Sequence, residues 1–575
     1  MSLDPEPWTA AVPTGEQRNT NTHPPPANNS GYDPHTGIYR SLVHLPEDGQ
    51  IPTAHNLDTA KYVISQFPHP DISESKIALI DSSTGQQLTY AQLRRSITSL
   101  AAGLRSAIGV RKGDVVLLLS PNSILYPTIC LAIMSVGAIL TPANPVNTTS
   151  EIAKQANDSG AKFVVAAPEQ LQKLESIGIP VLTTTRALDY VSCEELIDCC
   201  GGGDGSTEPQ VSISQSDTAA ILYSSGTTGA NKGVILTHSN FIAVMTMMKW
   251  SVRAMSAEDD TFLCFLPMFH IYGLAFFALG LFTLGIKTVL IPKFDFNLML
   301  QSIETHRVNN IPAVPPVILA MVKFATASGF DLSSLRRVGT GAAPLSGELG
   351  VEFRRRFPWV ELRPGYGLTE SCGATTMFAS DEVAKRRPEG CGGLLPRFCA
   401  KIVDAETGDA LPPYGRGELW VKSPAVMKGY LKNEEATSAT IDSDGWLRTG
   451  DLCYFDGDGV LFVVDRIKEL IKHNGYQVAP AELEAILLTH PQVMDAAVIP
   501  VKDAASGEIP MAYVVRASGS VLTEDQVITF VADQVAPYKK VRRVAFIGAI
   551  PKSAAGKILR KELILHNQQR LTAKI

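Results

Sequence analysis

The chain has 575 residues, 45% of them hydrophobic and 19% charged, with a formal net charge of −6. That is the composition of a globular protein of roughly two large domains or three to four average ones, and it argues against a basic face for nucleic acid or an anionic membrane. Nine cysteines, an odd number without a CxxC pair, argue against a disulfide framework or a zinc site and for a reducing compartment.

Residues 1 to about 35 are polar and rich in Pro and Asn, as in Thr22-His23-Pro24-Pro25-Pro26-Ala27-Asn28-Asn29, and read as a mobile arm. No basic stretch followed by an apolar one opens the chain, so a secretory leader is not expected. From about Tyr39 short apolar runs alternate with amphipathic segments. Val115–Leu119 reads as a buried strand, Ile124–Gly137 as a helix and Phe163–Ala167 as the next strand. This alternation predicts parallel sheets covered by helices. Two uncharged stretches, Leu118–Ser150 and Ile271–Ile286, are expected to be buried core helices rather than membrane spans. Prolines and asparagines interrupt the first, and the second is shorter than the roughly 20 residues a span needs.

A surface loop, Gly201–Ser206, precedes the apolar strand Ala219–Tyr223, which runs into Ser224-Ser225-Gly226-Thr227-Thr228-Gly229-Ala230-Asn231-Lys232-Gly233. Backbone N–H groups, hydroxyls and one lysine gathered on glycines make an anion cradle. It is not a Walker A loop, because Gly233 follows Lys232 and the glycine spacing differs. Phe265–Gly273 then sets His270 and Tyr272 among apolar residues, where the histidine is either a packed core side chain or a polar group beside a ligand. Gly339–Leu345 is a small-residue stretch over which a flat ligand can lie. Gly365-Tyr366-Gly367-Leu368-Thr369-Glu370-Ser371 offers an aromatic face, a hydroxyl and a carboxylate suited to Mg²⁺ on phosphate oxygens.

Beyond about residue 400 the pattern becomes short strands and turns: Ala400–Asp404, Pro412–Gly415, Gly417–Lys422 and the tight turn Asp456–Gly459. This predicts a smaller β-rich subdomain. Asp451, after a turn, suits a ribose diol, and Asp465–Lys472 brings charges out of an apolar run. From Ile467 the order strand, helix (Pro480–His490), strand, strand, helix, strand predicts a compact α+β unit.

These motifs, in this order, resemble the ANL superfamily of adenylate-forming enzymes, from about residue 40 to residue 565. Within it the chain is most similar to plant 4-coumarate–CoA ligases and their peroxisomal relatives, through Phe269–Tyr272, Gln477–Glu484 and Pro551–Lys557. The resemblance implies an α/β fold with a large N-terminal AMP-binding domain (36–466), a β-rich subdomain, and a small mobile C-terminal domain (467–575) hinged near Lys468. It implies ATP, Mg²⁺ and coenzyme A. A carboxylate attacks the α-phosphate of ATP to give acyl-AMP and pyrophosphate, and CoA then displaces AMP.

Residue by residue, the resemblance places Ser224, Ser225, Gly226, Thr227, Thr228, Gly229 and Lys232 on the phosphates. Thr369 goes with them, and Glu370 with Mg²⁺. Tyr366 and Ala342 face the adenine, and Asp451 and Arg466 the ribose. Lys557 bridges the carboxylate and the α-phosphate, with His270 beside them. Rotation about Lys468 is expected to withdraw Lys557 and bring Lys472, Gly475 and Gln477 forward for thioester formation. His270, Tyr272, Gly339, Ala342, Gly365, Gly367, Gly373 and Ala374 are expected to line the acyl pocket.

That pocket departs from the 4-coumarate ligase pattern. Gly339 stands where the ligases carry a large residue, commonly Met. Ser371-Cys372-Gly373-Ala374 replaces Ala-Gly-Pro-Val, and Ala230-Asn231 replaces Leu-Pro. Lost wall volume favours longer substrates, each buried CH₂ adding about 0.8 kcal/mol. Medium- or long-chain fatty acids, or jasmonate-type oxylipin precursors, are therefore expected ahead of hydroxycinnamates. A luciferase-like oxygenase and a non-catalytic binding protein are the rival readings on this scaffold. The tail Ala573-Lys574-Ile575 resembles a variant peroxisomal address, implying an import-receptor partner, with the cytoplasm as the alternative location.

Overall fold

The computed structural model describes residues 30–45, 49–199, 211–224, 232–324, 329–474, 476–503, 506–553 and 556–572. Two large sheets carry most of it. In the nine-stranded sheet the strands Glu361–Leu368, Arg337–Thr340, Asn310–Ala313, Thr261–Cys264, Lys287–Leu290 and Ile77–Asp81 run parallel, with antiparallel strands at both edges. The seven-stranded sheet has Val115–Leu119, Ile139–Ala143 and Ala161–Ala166 parallel at its centre. Thr218–Ser224 and Lys232–Thr237 form a hairpin on one side. Val115–Leu119 is buried at every position, as a strand covered on both faces must be.

Helix Tyr126–Ser135 is apolar all round and buried at nine of its ten residues, so it lies inside the core rather than over it. The uncharged stretch Leu118–Ser150 is therefore not one helix. It also holds the end of a strand and all of strand Ile139–Ala143, where the β-branched Ile139 and Thr141 suit extended backbone. Ile271–Ile286 is not an α-helix either. Gly273–Leu279 is a π-helix and Gly280–Leu284 a 3₁₀ turn. Among the described residues no helix is long and apolar enough to cross a membrane.

A six-stranded antiparallel sheet is built from Tyr32–Asp33, Ile38–Arg40, Cys399–Val403, Gly417–Lys422, Leu447–Phe455 and Leu461–Arg466. Tyr39 stacks on Phe455 with ring centroids 4.4 Å apart. The first described residues thus already belong to the fold. The expected arm does not reach residue 35, and residues 1–29 lie outside the described ones, as do the loop 201–206 and the tail 573–575.

The C-terminal unit is a five-stranded sheet of Tyr476–Val478, Ile471–His473, Gly507–Arg516, Val493–Asp503 and Arg543–Phe546. Helices Pro480–Thr489 and Glu524–Ala532 pack on it. It differs from the expected order by a second short strand at its start, paired with the first as a hairpin, and by a closing helix, Arg560–Thr572. Ala479, before helix Pro480–Thr489, makes no side-chain cap. Asp465, on the last strand of the six-stranded sheet, caps it instead, its Oδ2 accepting from Ala481 N at 3.0 Å. Arg560 pairs with Glu469 and Glu484, both at 2.7 Å. Burial pushes the Glu484 carboxyl up to about 7, against the pull of Arg560.

Candidate active site

One cavity of about 1040 Å³ opens where the sheets meet the C-terminal unit. Its nucleotide corner begins at Tyr366. Strand Glu361–Leu368 pairs with Gly373–Met377 so closely that a Cβ on Gly367 would stand 2.2 Å from Gly373 O. The tight pairing holds the Tyr366 ring at the cavity wall, and its Oη donates to Asp451 Oδ2 at 2.5 Å. Asp451 lies opposite Arg466 in the antiparallel pair of strands, with Arg466 Nε 3.5 Å from Asp451 Oδ1. Burial pushes the Asp451 carboxyl up, while Arg466 and the Tyr366 hydroxyl hold it down. A carboxylate fixed beside a guanidinium can accept hydrogen bonds from a vicinal diol.

Glu370 forms the next corner. Its Oε1 accepts from Ser224 Oγ at 3.2 Å and from Tyr430 Oη at 3.0 Å. Lys232 Nζ lies 4.6 Å from the Tyr430 ring centroid. Among the described residues no cluster of three metal-ligating side chains exists. Glu370 with hydroxyls around it still fits Mg²⁺, which takes one or two carboxylates and completes its shell with phosphate oxygens and water. Thr369 lines the same corner.

On the acyl side, Gly273 is demanded by a close approach: a Cβ there would stand 2.1 Å from Pro267 O. The turn places His270 and Tyr272 at the mouth of the π-helix, a helix type common at functional sites. Burial pushes His270 down to about 4, so its imidazole is neutral at pH 7. Its Nδ1 accepts from Tyr272 N at 3.4 Å, which assigns the proton to Nε2. A neutral N–H donor there can steady an oxyanion without a competing charge. Burial raises the Tyr272 hydroxyl to about 12, keeping it protonated. Gly339, Ala342, Gly365, Gly373 and Ala374 line the cavity with these two.

The C-terminal unit contributes Lys557. Its turn closes through Ser553 N to Lys557 O at 2.8 Å and Lys557 N to Ser553 Oγ at 3.2 Å. Gly556, next in the turn, comes close to Val314 of the large domain, where a Cβ would stand 3.1 Å from Val314 Cγ2. Burial, then the Arg466 charge, pushes Lys557 down to about 8, with Glu469 and Asp451 pulling the other way. Lys557 and Lys468 line the cavity. Lys472 and Gln477 do not. They face each other across the Ile471–His473/Tyr476–Val478 hairpin, both exposed.

The cavity thus gathers His270, Tyr272, Gly339, Ala342, Gly365, Tyr366, Gly367, Thr369, Glu370, Gly373, Ala374, Asp451, Arg466, Lys468 and Lys557 with Ser224 and Lys232. Ser225, Gly226, Thr227, Thr228, Gly229 and Gly475 lie outside the described residues. Sequence reading missed Tyr430 and Glu418. Tyr430 sits in a two-residue strand whose pairing with Val234 no local pattern announces. Glu418 is paired with a motif only in space: its Oε1 accepts from Gly450 N at 3.0 Å, inside strand Leu447–Phe455, where a break in register rather than the expected turn precedes Asp451.

Residues 70–431 match the model of the AMP-binding enzyme family, and residues 482–557 match that of the AMP-binding enzyme C-terminal domain. The chain belongs to the AMP-binding enzyme family. This AMP-binding enzyme is 48% identical over 547 residues to a probable CoA ligase of Humulus lupulus, covering 93% of this chain and 97% of the relative. It is also 48% identical to the peroxisomal OPC-8:0-CoA ligase 1 of Arabidopsis thaliana over 523 residues, with 89% and 94% covered. Both place it among the AMP-forming CoA ligases. Among solved structures, ATP-bound MatB from Rhodopseudomonas palustris superposes with a TM-score of 0.77 at 27% identity, covering 88% of this chain and 98% of that one. The o-succinylbenzoate CoA synthetase of Bacillus subtilis, holding its acyl-adenylate, superposes at 0.75 with 28% identity and the same coverage. The ANL-type fold expected from the motifs is the fold observed.

Proposed function

We propose that this AMP-binding enzyme joins a medium- or long-chain aliphatic acid, or a cyclic oxylipin acid, to coenzyme A at the expense of ATP. The observation that carries the reading is the convergence of Lys557, the Asp451–Arg466 pair, Tyr366 and Glu370 on one cavity whose acyl side is floored by Gly339.

In the first half-reaction a carboxylate oxygen forms a bond to the α-phosphorus. The bond from that phosphorus to the bridging oxygen breaks, and pyrophosphate leaves. Two anions must meet, so the Lys557 ammonium sits between them and offsets their repulsion. His270 Nε2–H steadies the acyl carboxylate without adding charge. Tyr366 and Asp451 fix base and ribose so that the α-phosphate meets its nucleophile in line. Glu370 would hold Mg²⁺, which neutralises developing phosphate charge when bound. In the second half-reaction the CoA thiolate bonds to the acyl carbon and AMP leaves through the acyl–oxygen bond. We assign Lys472, Gly475 and Gln477 to this step, reached by rotation near Lys468, which divides the AMP-binding domain from the C-terminal unit. Because Lys472 and Gln477 stand outside the cavity while Lys557 stands in it, the described arrangement suits adenylation.

The substrate preference rests on Gly339. A Cβ there would meet only Tyr272 Oη, at 3.7 Å, so the floor is open rather than filled. The test is CoA-dependent AMP release with ATP and Mg²⁺ over 4-coumarate, caffeate, hexanoate, decanoate, palmitate and a cyclopentenone oxylipin acid. Turnover concentrated on the aliphatic or oxylipin acids is expected, and turnover concentrated on hydroxycinnamates overturns the preference. AMP from none overturns the ligase reading. We further assign Ala573-Lys574-Ile575 as a peroxisomal address. Deleting it from a fluorescent fusion is expected to redistribute the protein from peroxisomes to cytosol, and an unchanged distribution overturns the assignment.

A further inference from the structure

The face of the nine-stranded sheet that floors the acyl cavity changes character along its strands. Side chains alternate across a strand, so residues two apart and their register partners share a face. On the cavity side one rung holds Phe262, Asn310, Arg337 and Glu361, and the next holds Pro312, Gly339 and Arg363. Ile311, Val338 and Leu362 fall on the opposite face and pack in an aliphatic core. From Gly341, beside the nucleotide corner, to Arg337 is four residues, or about 13 Å along a strand. A medium-length acyl chain spans that distance, and Gly339 lies midway without a side chain to stop it.

What the chain end would meet is not apolar. Arg337 Nη1 lies 2.6 Å from Asp260 Oδ2, its Nε 3.1 Å from Glu361 Oε2, and its Nη2 donates to Met255 O at 2.7 Å. Arg363 Nη2 lies 2.7 Å from Glu361 Oε2, and its Nη1 donates to Phe378 O at 3.4 Å and to Ala379 O at 3.2 Å. Asn310 Nδ2 donates to Asp260 Oδ2 at 2.7 Å. Arg337, Arg363 and Asn310 all line the cavity. Arg363 is 8% exposed, yet its Nε–H has no hydrogen-bond partner. Arg337 uses three of its five N–H groups in these bonds. The Arg363 Nε–H and the two N–H groups of Arg337 outside these bonds are the donors the fold leaves over.

We propose that this end of the cavity is a subsite for a neutral oxygen, the carbonyl or hydroxyl of an acid oxygenated far from its carboxylate, read by the guanidinium groups of Arg363 and Arg337. Two cations face two carboxylates there, Asp260 and Glu361, and Arg336, the second cation on Asp260, has its side chain 63% exposed. The wall therefore carries donors without a large net charge, which suits a neutral acceptor over a second carboxylate. A plain alkyl end would strip water from these donors and return nothing, and sites built to bond a substrate oxygen reject analogues that lack it.

The inference rests on the ligase reading, so its test uses acid-dependent ATP–pyrophosphate exchange, which needs no CoA. Decanoate is compared with its (ω−1)-oxo and (ω−1)-hydroxy derivatives and with sebacate. The oxo or hydroxy acid is expected to exceed decanoate in kcat/KM by about 10- to 100-fold. Arg363→Met is expected to bring that ratio close to one. Arg363→Lys keeps the charge beside Glu361 but loses the fork, is the better-tolerated substitution, and is expected to lower the ratio too. A wild-type ratio near one overturns the inference alone, as does a ratio unmoved in both variants. If both variants misfold, the wild-type ratio decides. Sebacate as the best substrate overturns the neutral-oxygen assignment. Exchange with none of these acids, nor with those of the AMP-release panel, overturns the ligase reading and this inference with it.

Discussion

The C-terminal unit presents two lysines in contrasting settings. Lys557 is held in a closed turn, mostly buried, with its ammonium pushed down to about 8 by burial and by Arg466. Lys472 lies in an exposed hairpin, outside the cavity, and its backbone N–H is spent on Glu508 Oε2 at 2.9 Å. Burial has tuned one to act where it stands, and exposure leaves the other free to act elsewhere. In the proposed reaction one site serves two nucleophiles, an anionic carboxylate and then a thiolate, and the two settings match that division.

The sharpest way to break this contrast is to remove each lysine in turn. Lys557→Ala is expected to lower ATP–pyrophosphate exchange by about 10²- to 10³-fold while preformed acyl-AMP is still converted with CoA. Lys472→Ala is expected to do the reverse, costing at least about tenfold in thioester formation from acyl-AMP and little in exchange, as read by single-turnover assays of each half-reaction. Equal losses in the same half-reaction would dissolve the distinction.

The pH profile sharpens it further. Only the protonated Lys557 offsets anionic repulsion, so kcat/KM for exchange is expected to hold below about pH 8 and to fall about tenfold per unit above it, reporting the free enzyme. His270, pushed down to about 4, contributes no inflection between pH 5 and 8. Lys557→Ala should abolish the alkaline limb. The smallest expected effect is in the acyl channel. Gly339→Met, whose Cβ has room beside Tyr272, fills the floor and excludes about two CH₂ groups. It is expected to lower kcat/KM for decanoate about tenfold relative to hexanoate.

The nucleotide side of the cavity was legible in the sequence because its chemistry lies in short contiguous runs. Gly365–Glu370 carries ring, hydroxyl and carboxylate within six residues, and Asp451 closes the short run Trp446–Asp451, although that run is strand from Leu447 on and not the expected turn. The far end was not legible. Arg337 and Arg363 lie in different strands, and only the register that sets Gly339 against Arg363 reveals that they share a face. Tyr430 joins the site through a two-residue strand for the same reason. The alternation of apolar runs foretold the parallel sheets. It could not tell a π-helix from an α-helix at Gly273–Leu279, because an apolar run buried nearly all round carries no period that separates the two. The closing helix Arg560–Thr572 escaped because its apolar stripe is weak, and it is tied down by the Arg560 ion pairs.

Asp465 caps helix Pro480–Thr489 from across the expected hinge, in place of Ala479, which cannot. A borrowed cap of this kind contributes about 1 kcal/mol, a factor of roughly five in an equilibrium constant. In the proposed rotation, swinging the helix away would forfeit this bond, which by itself weights the described geometry by that factor. On this bond alone, the enzyme would wait, for most of its idle time, already set for its first substrate.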